Sequence, residues 1–253
     1  ERGYHKEKVN FKVKMGWKVQ PAKGTIVLLH GVTMRKETMM LWALYLSGAG
    51  YRTVLVDLRG HGGSGGEFIT YGFKEKTDLI AVLDALDKQG LAKGKVGVLG
   101  ISYGATMGLH WAASDPRVGA VVAIEPFADA KRAITDFVGQ VGWPANLLSA
   151  GRIKAVIDQA PREAGFTWNE VNVYEAVEKI RHPILFFHGT HDRLLPVWHS
   201  AELKDYALPG SRLVICVDDD HLTLPKRLEP YATEVLAWFD AQLGPGQNAS
   251  TTK

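Results

Sequence analysis

Residues 95–106 read Lys-Val-Gly-Val-Leu-Gly-Ile-Ser-Tyr-Gly-Ala-Thr, with a serine between two glycines where an apolar run gives way to a helical pattern. The apolar run predicts a short buried strand, and the residues from Tyr103 onward have helical spacing. Gly100 and Gly104 flank Ser102 in the order G-x-S-x-G, which forces the serine into a tight bend and exposes its hydroxyl. The segment therefore predicts a nucleophilic serine at the carboxyl end of a strand.

Apolar runs of strand length alternate with segments of helical spacing along the rest of the chain. The runs are rich in Val, Ile and Leu without polar alternation, which is typical of strands covered on both faces. They occupy residues 25–29, 53–58, 95–99, 118–124, 184–187 and 213–217. The helical segments occupy residues 37–47, 73–89, 103–114, 198–206 and 230–243. This order predicts an α/β fold with a mostly parallel central sheet flanked by helices, preceded by an antiparallel edge hairpin at 8–19.

One interval interrupts the alternation. Residues 127–180 separate two strands that a crossover of about one to two dozen residues would normally join. Helical fragments are predicted there at 128–138, 145–159 and 171–179, together with the aromatic residues Phe137, Trp143, Phe166 and Trp168. These aromatic side chains would either line an apolar pocket or, as is commoner at helical spacing, pack within the insertion. We predict a single domain over residues 1–253 with a small helical insertion at about 127–180.

Composition and charge exclude several classes of protein. The 253 residues are 46% apolar and include 30 basic and 27 acidic residues, which is typical of a soluble globular chain. The net charge of +3 is spread without a basic stripe, so nucleic acid and anionic lipid are not expected partners. No apolar run approaches the roughly 18 residues that a membrane span needs. The lone Cys216 is interpreted as a small buried residue. The chain begins at Glu1 and not at Met, so a leader could have been removed. The sequence therefore leaves the compartment open between cytoplasmic and secreted. It also leaves the oligomeric state open.

A catalytic serine needs a base and a group that orients the base. His221 follows the predicted strand 213–217, and Asp192 follows the predicted strand 184–187. Because the carboxyl ends of parallel strands gather at one edge of a sheet, we expect both side chains near Ser102. The chain order Ser, Asp, His matches that of hydrolases with this strand and helix architecture.

Other interpretations of the acid and the base remain open. Glu125 ends the predicted strand 118–124 at the same edge and is the competing acid. We prefer Asp192, because Glu125 leads through Pro126 directly into the insertion. Asp192 could instead cap a helix, and His221 could be a solvated loop histidine.

Acyl transfer also needs donors for the oxyanion, each worth roughly 3–4 kcal/mol in the transition state. The amide of Tyr103 directly follows the nucleophile at the amino end of a helix. The loop after the first strand reads His30-Gly31-Val32-Thr33, so the amide of Val32 is the second candidate.

The motifs together resemble α/β-hydrolases of the serine esterase and lipase type over nearly the whole chain. The residues that carry the likeness are His30-Gly31, Asp-Leu-Arg-Gly-His-Gly-Gly-Ser at 57–64, the Ser102 elbow, Asp192 and His221. Residues 57–64 are especially similar to the monoacylglycerol lipase and serine aminopeptidase-like branch. The resemblance implies that Val32 and Tyr103 form the oxyanion hole and that the insertion is a lid. Val32-Thr33 departs from the His-Gly-Gly-Gly loop of another lipase branch, and Ser102 replaces the Asp of dehalogenases and epoxide hydrolases.

Two further patterns suggest a cofactor or a metal, and we disfavour both. Gly60, Gly62 and Gly65 match G-x-G-x-x-G, but the acid about twenty residues on, Asp84, falls within a predicted helix instead of ending a strand. The other pattern is the possible ligand set His188, His191 and Asp192, whose histidines would not readily converge on one ion. No cofactor and no metal are therefore expected, and His30 and His61 are expected to hydrogen-bond loops.

The expected reaction is hydrolysis of a small-molecule carboxylic ester through an acyl-enzyme. His221 would take the proton of Ser102 and then protonate the leaving alcohol, while Asp192 orients His221. An amidase or peptidase and an acyltransferase would use the same residues. A non-catalytic binding protein on this fold is the alternative from another class.

Overall fold

The computed structural model describes residues 21–92, 94–141 and 149–244. In this part of the chain six strands form one parallel sheet in the order β2-β1-β3-β4-β5-β6. The strands are β1 Thr25–Leu29, β2 Arg52–Val56, β3 Val96–Ile101, β4 Val118–Ile124, β5 Ile184–Gly189 and β6 Arg212–Cys216. The predicted α/β architecture is confirmed, while the predicted hairpin at 8–19 lies outside the described residues.

Helices cover both faces of the sheet. They are α1 Met40–Gly48, α2 Glu75–Lys88, α3 Tyr103–Ser114, α4 Ala130–Val141, α5 Ala150–Ala164, α6 Val173–Lys179, α7 Trp198–Tyr206 and α8 Ala232–Leu243. Helices α1 and α8 pack on one face, and α2, α3, α6 and α7 pack on the other. Along β1, Ile26 and Leu28 join one core while Val27 and Leu29 join the other. Because both faces are covered, the central strands are largely apolar, with Thr25 in β1 and His188 in β5 as buried polar residues.

The edge strands differ from the prediction that all strands are covered on both faces. Every residue of β2 is only partly buried, and Arg212 and Ile215 of β6 are exposed. These two strands end the described sheet, so each lacks a neighbour on one side. The predicted strand at 53–58 also ends two residues early, because Asp57 leaves the ladder to accept hydrogen bonds from Lys36 and Gly63.

Several predicted helix bounds are also corrected. The segment predicted at 37–47 begins as a 3₁₀ turn, Lys36–Met39, before α1. The fragment predicted at 145–159 corresponds to α5, which starts where the Ser149 side chain accepts from the amide of Arg152 and ends at Gly165 in the left-handed conformation. The fragment predicted at 171–179 is a 3₁₀ turn, Trp168–Val171, followed by α6. The fragment predicted at 128–138 is α4, and the predicted helices at 73–89 and 230–243 are shorter than expected.

The strand register brings four loops to one edge of the sheet. Leu29 at the end of β1 pairs with Gly100 in β3, and Ile101 pairs with Ile124 at the end of β4. Ile124 in turn pairs with Phe187 in β5. The turn that contains Ser102 therefore lies between the loops that follow β1 and β4.

The turn between β3 and α3 depends on the two glycines that flank Ser102. A Cβ atom on Gly104 would lie 2.4 Å from the carbonyl oxygen of Leu29, and one on Gly100 would lie 2.4 Å from the carbonyl oxygen of Gly104. Real carbon–oxygen contacts are much longer, since non-bonded atoms attract best at about 3.5–4.0 Å. Ser102 itself has φ 53° and ψ −117°, outside the ordinary regions for a side-chain-bearing residue. The glycines thus allow the backbones to approach closely enough to expose the serine.

We predict that Gly104→Ala lowers the free energy of unfolding by about 1–3 kcal/mol, because the new methyl group meets rigid backbone. The matched control is Gly151→Ala in α5, where an added Cβ meets no atom within 4 Å. This control should not lose stability, since alanine favours helices over glycine. Urea unfolding of both variants and the parent is the measurement. Equal stability of Gly104→Ala and the parent would contradict the close approach.

Candidate active site

Ser102, His221 and Asp192 form a continuous hydrogen-bonded chain. The Oγ atom of Ser102 lies 2.9 Å from Nε2 of His221, and Nδ1 of His221 lies 2.6 Å from Oδ2 of Asp192. A carboxylate can only accept, so Nδ1 carries the proton and Nε2 is left to accept the serine O–H. Ser102 and Asp192 are buried, while the His221 side chain retains 12% exposure. The structure therefore brings together the three residues that the sequence singled out.

Asp192 is held as an anion at a fixed orientation. Its Oδ1 atom accepts hydrogen bonds from the amides of Leu194 at 2.9 Å and Leu195 at 2.8 Å. Burial by itself would raise the pKa of Asp192, but hydrogen bonds from His188 and His221 outweigh it and lower the pKa to about 2. The Asp192 carboxylate is therefore charged at neutral pH and faces His221.

Glu125, the competing acid, lies beside the same imidazole but is protonated instead of charged. Its side chain is fully buried, and its Oε2 atom is 3.5 Å from Nδ1 of His221, too far for a strong hydrogen bond. Neither carboxyl oxygen has a hydrogen-bond partner in the described part of the chain. Burial, together with repulsion from Asp192, raises the pKa of Glu125 to about 9. Asp192 therefore makes the short hydrogen bond to the base, and Glu125 stays protonated at neutral pH.

The loop after β1 lies against the serine. A Cβ atom on Gly31 would be 3.7 Å from Cβ of Ser102, and Val32 and Tyr103 border the same cavity as the serine hydroxyl. Within the described residues neither the Val32 amide nor the Tyr103 amide has an acceptor. Tyr103 opens α3, and the first amides of a helix have no acceptor inside the helix. Two free amides thus border the cavity beside the hydroxyl.

Buried His30 fixes the loop after β1 from behind. Its Nδ1 donates to the carbonyl oxygen of Gly31 at 2.8 Å, and its Nε2 accepts from the amide of Leu58 at 3.0 Å. Burial is the largest cause of its lowered pKa, which keeps the ring neutral for both bonds. His61 similarly donates from Nδ1 to the carbonyl oxygen of Arg59 at 2.8 Å. Both histidines bind loop backbone.

Strained backbone is concentrated around the site. Five described residues other than glycine have positive φ, between 52° and 64°, which side chains rarely adopt: Asp218 lies in the loop after β6, and the other four are Thr33, Tyr71, Ser102 and Glu125. Thr33, Tyr71 and Ser102 border the cavity, and Glu125 adjoins His221. Such conformations cost about 1–3 kcal/mol each and cluster at functional sites.

Sequence reasoning missed Glu75, which supports the serine turn from beneath. Its buried carboxylate accepts hydrogen bonds from the amide and hydroxyl of Thr70, each at 2.6 Å, from the amide of Gly72 at 2.8 Å and from the hydroxyl of Tyr103 at 2.9 Å. These bonds hold the loop that contains Tyr71 and the ring of Tyr103 together. In the sequence Glu75 is an ordinary acid at the start of a helix, so no local signal identifies it.

His188 contacts Asp192, a role that the sequence did not predict for it. Its Nε2 donates to the carbonyl oxygen of Leu195 at 2.6 Å, because a backbone oxygen only accepts. The same Nε2 lies 3.3 Å from Oδ2 of Asp192, and Nδ1 accepts from the hydroxyl of Ser200 at 2.7 Å. His188 and His221 therefore both approach the Oδ2 atom of Asp192.

The alternative metal-ligand set is not assembled. His188 is buried in the bonds just described, whereas His191 is exposed and points its Nδ1 toward Asp218 at 3.7 Å. Within the described residues, the group that brings three possible ligand atoms within 4.8 Å of one another is Glu125, Asp192 and His221. That group is the imidazole with its two neighbouring carboxyls.

The glycine-rich loop after β2 packs around the carboxylate of Asp57. Asp57 accepts from the amides of Lys36 and Gly63 and from the Lys36 ammonium group, and these bonds hold the pKa of Asp57 well below its usual range. A Cβ atom on Gly62 would lie 2.2 Å from the Asp57 carboxyl carbon. Asp84 lies within α2 and pairs with Arg117 at 2.7 Å, so it is not at the end of a strand.

A cavity of about 280 Å³ opens at Ser102 and His221. Its walls come from the loop after β1, from α4 and from the loop after β5. The apolar wall residues include Val32, Ile134, Phe137, Leu194, Leu195 and Leu222. No Asp, Glu, Lys or Arg side chain lines the cavity in the described part of the chain. The site therefore offers an apolar pocket beside the Ser102 hydroxyl and the His221 imidazole.

The aromatic residues of the insertion divide between the two expected roles. Phe137 lines the cavity and is 43% exposed. Phe166 instead stacks on Phe73 with ring centroids 6.2 Å apart, and Trp168 packs against Tyr71 at 5.5 Å. Trp143 lies outside the described residues.

A parallel sheet of this strand order, with a serine elbow after β3, an acid after β5 and a histidine after β6, defines an α/β-hydrolase. The chain belongs to the X-Pro dipeptidyl-peptidase (S15) family, whose family model matches residues 3–166. The resemblance to α/β-hydrolases seen in the sequence is thereby confirmed at the level of the superfamily.

Individual proteins are similar to this chain in sequence or in fold. The Bacillus subtilis protein YqkD, described as uncharacterized, is 28% identical over 235 residues, which cover 89% of this chain and 74% of YqkD. The esterase Pf2001 of Pyrococcus furiosus is 24% identical, with a TM-score of 0.68 over 88% of this chain and 85% of that one. The α/β-hydrolase GrgF from Penicillium sp. sh18 is 17% identical, with a TM-score of 0.66 over 88% and 92% of the two chains. At these identities the solved structures show a shared fold.

Among the described residues, no helix combines the length and the apolar character that a bilayer crossing requires.

We predict that Glu125→Gln changes how stability depends on pH. Glu125 binds a proton in the folded state between its ordinary pKa of 4.5 and about 9, while the unfolded chain releases it, so unfolding becomes easier as pH rises through this range. Removing the titration should make the variant gain stability relative to the parent as pH increases, by up to about 1.4 kcal/mol per pH unit. Urea unfolding at several pH values measures the difference. Parallel stability curves for the two proteins would contradict the protonated state.

Proposed function

We propose that this protein is a serine hydrolase that cleaves small carboxylic esters with an apolar acyl group through an acyl-enzyme intermediate. The observation that carries the proposal is the hydrogen-bonded chain from the Ser102 hydroxyl through His221 to the Asp192 carboxylate. This arrangement supplies a nucleophile, a base and a fixed anion, each within hydrogen-bond distance of the next.

The proton moves along this chain in both halves of the reaction. Nε2 of His221 takes the Ser102 proton as Oγ attacks the ester carbonyl, and the resulting imidazolium then protonates the leaving alcohol. In the second half the neutral imidazole takes a proton from water, which attacks the acyl group and returns Ser102 to its free form. Asp192 stabilises the imidazolium and keeps Nδ1 protonated.

The two free amides at the cavity fit the oxyanion that forms at each attack. Val32 and Tyr103 would donate to it, and Glu75 and His30 would hold the two amides in place through the Tyr103 ring and the loop after β1. Donors that are already oriented need no reorganisation when charge develops, which makes them effective.

The cavity favours an uncharged apolar group on the acyl side. Its wall lacks ionic side chains in the described part of the chain, and apolar surface removed from water contributes roughly 25 cal/mol per Å². Helix α4 of the insertion supplies Ala133, Ile134 and Phe137 to this wall. We therefore propose that the insertion at about 127–180 acts as a lid whose α4 face contacts the acyl group.

A peptidase is the second candidate function, because the matching family is named for X-Pro dipeptidyl-peptidases. A substrate of that class presents a free amino terminus, which is positively charged at neutral pH. Binding it in a closed pocket calls for a carboxylate or several acceptors. The apolar wall of the cavity does not offer a carboxylate in the described residues, so ester cleavage is the better fit.

We predict that a fluorophosphonate probe labels the protein and that Ser102→Ala abolishes both labelling and hydrolysis of p-nitrophenyl butyrate. Loss of the nucleophile should reduce kcat by about 10⁴-fold or more. Alanyl-prolyl-p-nitroanilide, assayed alongside, distinguishes the two candidate functions. Hydrolysis of that peptide at a higher kcat/KM than any ester would favour the peptidase. Undiminished esterase activity in Ser102→Ala would contradict both.

We also predict that Phe137→Ala lowers kcat/KM for a long acyl chain more than for acetate. Each methylene buried against the wall should contribute about 0.8 kcal/mol, or roughly fourfold in kcat/KM, until the cavity is full. The control is Phe68→Ala, which removes a phenylalanine of the same 43% exposure that does not line the cavity. Assays with p-nitrophenyl esters of increasing chain length make the comparison. Equal effects of the two substitutions at every chain length would contradict this acyl pocket.

A further inference from the structure

The proposed mechanism leaves one buried acid next to the base unused. Glu125 is completely buried at the end of β4, in a left-handed backbone conformation with φ 52°. Its Oε2 atom lies 3.5 Å from the same His221 nitrogen that Asp192 binds at 2.6 Å. Both carboxyls thus approach one N–H, and only one of them forms the short bond.

The charges around Glu125 explain why it does not compete while Asp192 is present. The charged groups that face it are Asp192 from the loop after β5 and Asp219 and Asp220 from the loop after β6. The other titratable neighbours are His221, whose Nδ1–H is already donated, and the buried thiol of Cys216. No lysine or arginine among the described residues pairs with Glu125. A second negative charge at this position would be unpaired, so the carboxyl keeps its proton.

We propose that Glu125 is a standby acid for His221: it is held uncharged by the Asp192 carboxylate and takes over the Nδ1–H of the imidazole when Asp192 is removed. This inference rests on the proposed serine hydrolase function. In the intact protein Glu125 is therefore a positioning residue, which fills the space beside the imidazole without adding charge.

The exchange requires only a small movement. Glu125 Oε2 must close from 3.5 Å to about 2.8 Å, the length of a charge-assisted hydrogen bond. Its oxygens accept no hydrogen bond of ordinary geometry within the described residues, although the nearby Gly189 amide favours the anion. Removing Asp192 also removes the nearest negative charge, so Glu125 releases its proton to solvent more easily and becomes an anion that accepts from Nδ1–H.

The choice of substitution at Asp192 makes the inference testable. In Asp192→Asn the amide oxygen should take the place of Oδ1, which accepts from the Leu194 and Leu195 amides. The NH₂ group would then face Nδ1 and force the imidazole into the wrong tautomer, a change that costs about 10⁴-fold in serine proteases. Asp192→Ala leaves Nδ1 free for Glu125. The smaller side chain should therefore be the less harmful one.

The experiment is a double-mutant cycle on p-nitrophenyl ester hydrolysis. The parent must be active and Ser102→Ala inactive, since otherwise the proposed function fails before the cycle begins. We expect Asp192→Ala to retain at least about 10-fold more kcat than Asp192→Asn. Adding Glu125→Gln should lower kcat of Asp192→Ala at least about 10-fold more than it lowers kcat of the parent, as expected for coupled sites.

The pH profile supplies a readout that a purely structural role would not change. Activity of Asp192→Ala should rise with pH as Glu125 ionises, and this rise should be absent from the double variant. Equal kcat values and equal profiles for Asp192→Ala with and without Glu125→Gln would overturn the inference. If Asp192→Ala does not fold, Asp192→Ser replaces it, because the serine hydroxyl can still accept from the Leu194 amide.

Infrared spectroscopy tests the uncharged state without an activity assay. At neutral pH the parent should show the carbonyl stretch of a buried protonated carboxyl group, and Glu125→Gln should lack it. A parent spectrum without that band, or a band that persists in Glu125→Gln, would also overturn the inference.

Discussion

The close approach of α3 to the end of β1 is the constraint on which the whole site depends. Gly104 lies where a Cβ atom would be 2.4 Å from a backbone oxygen of Leu29, so only hydrogen fits there. This contact places Ser102 beside the loop of Gly31 and Val32, and it leaves two amides free near the hydroxyl. The serine turn is buried between the ends of β1 and β4, and this packing holds its strained backbone in place. Strain of about 1–3 kcal/mol persists only where the surrounding structure holds it.

Two buried carboxyl groups with different charges, those of Asp192 and Glu125, lie beside the His221 imidazole. Hydrogen bonds from two amides and two imidazoles outweigh burial and lower the pKa of Asp192 to about 2, whereas burial and repulsion from Asp192 raise the pKa of Glu125 to about 9. One negative charge therefore faces His221 at neutral pH. A pair of titratable groups pushed apart by their surroundings is a common sign of a catalytic site.

The family match bears on the class of reaction, whereas the cavity bears on the substrate. The S15 match covers residues 3–166, which include the elbow at Ser102 but neither Asp192 nor His221. It therefore places the chain in a family of hydrolases, while the proposed substrate class rests on the wall of the cavity at Ser102. That wall combines the loops after β1 and β5 with α4 of the insertion, and it carries no ionic side chain in the described residues.

The sequence alone determined the alternation of strands and helices, the serine turn and the loops that bear Asp192 and His221. These features follow from local causes: residue periodicity, glycine sterics and the rule that parallel strands end at one edge. Helix bounds such as that of α5 were less predictable, because capping by Ser149 and Gly165 competes with periodicity. Only the tertiary structure decided which acid binds the imidazole, that Glu75 and His188 support the site, and which aromatic residues of the insertion line the cavity. Each of these depends on distances between residues far apart in the chain and on burial, which changes the charge of a carboxyl without leaving any local pattern in the sequence.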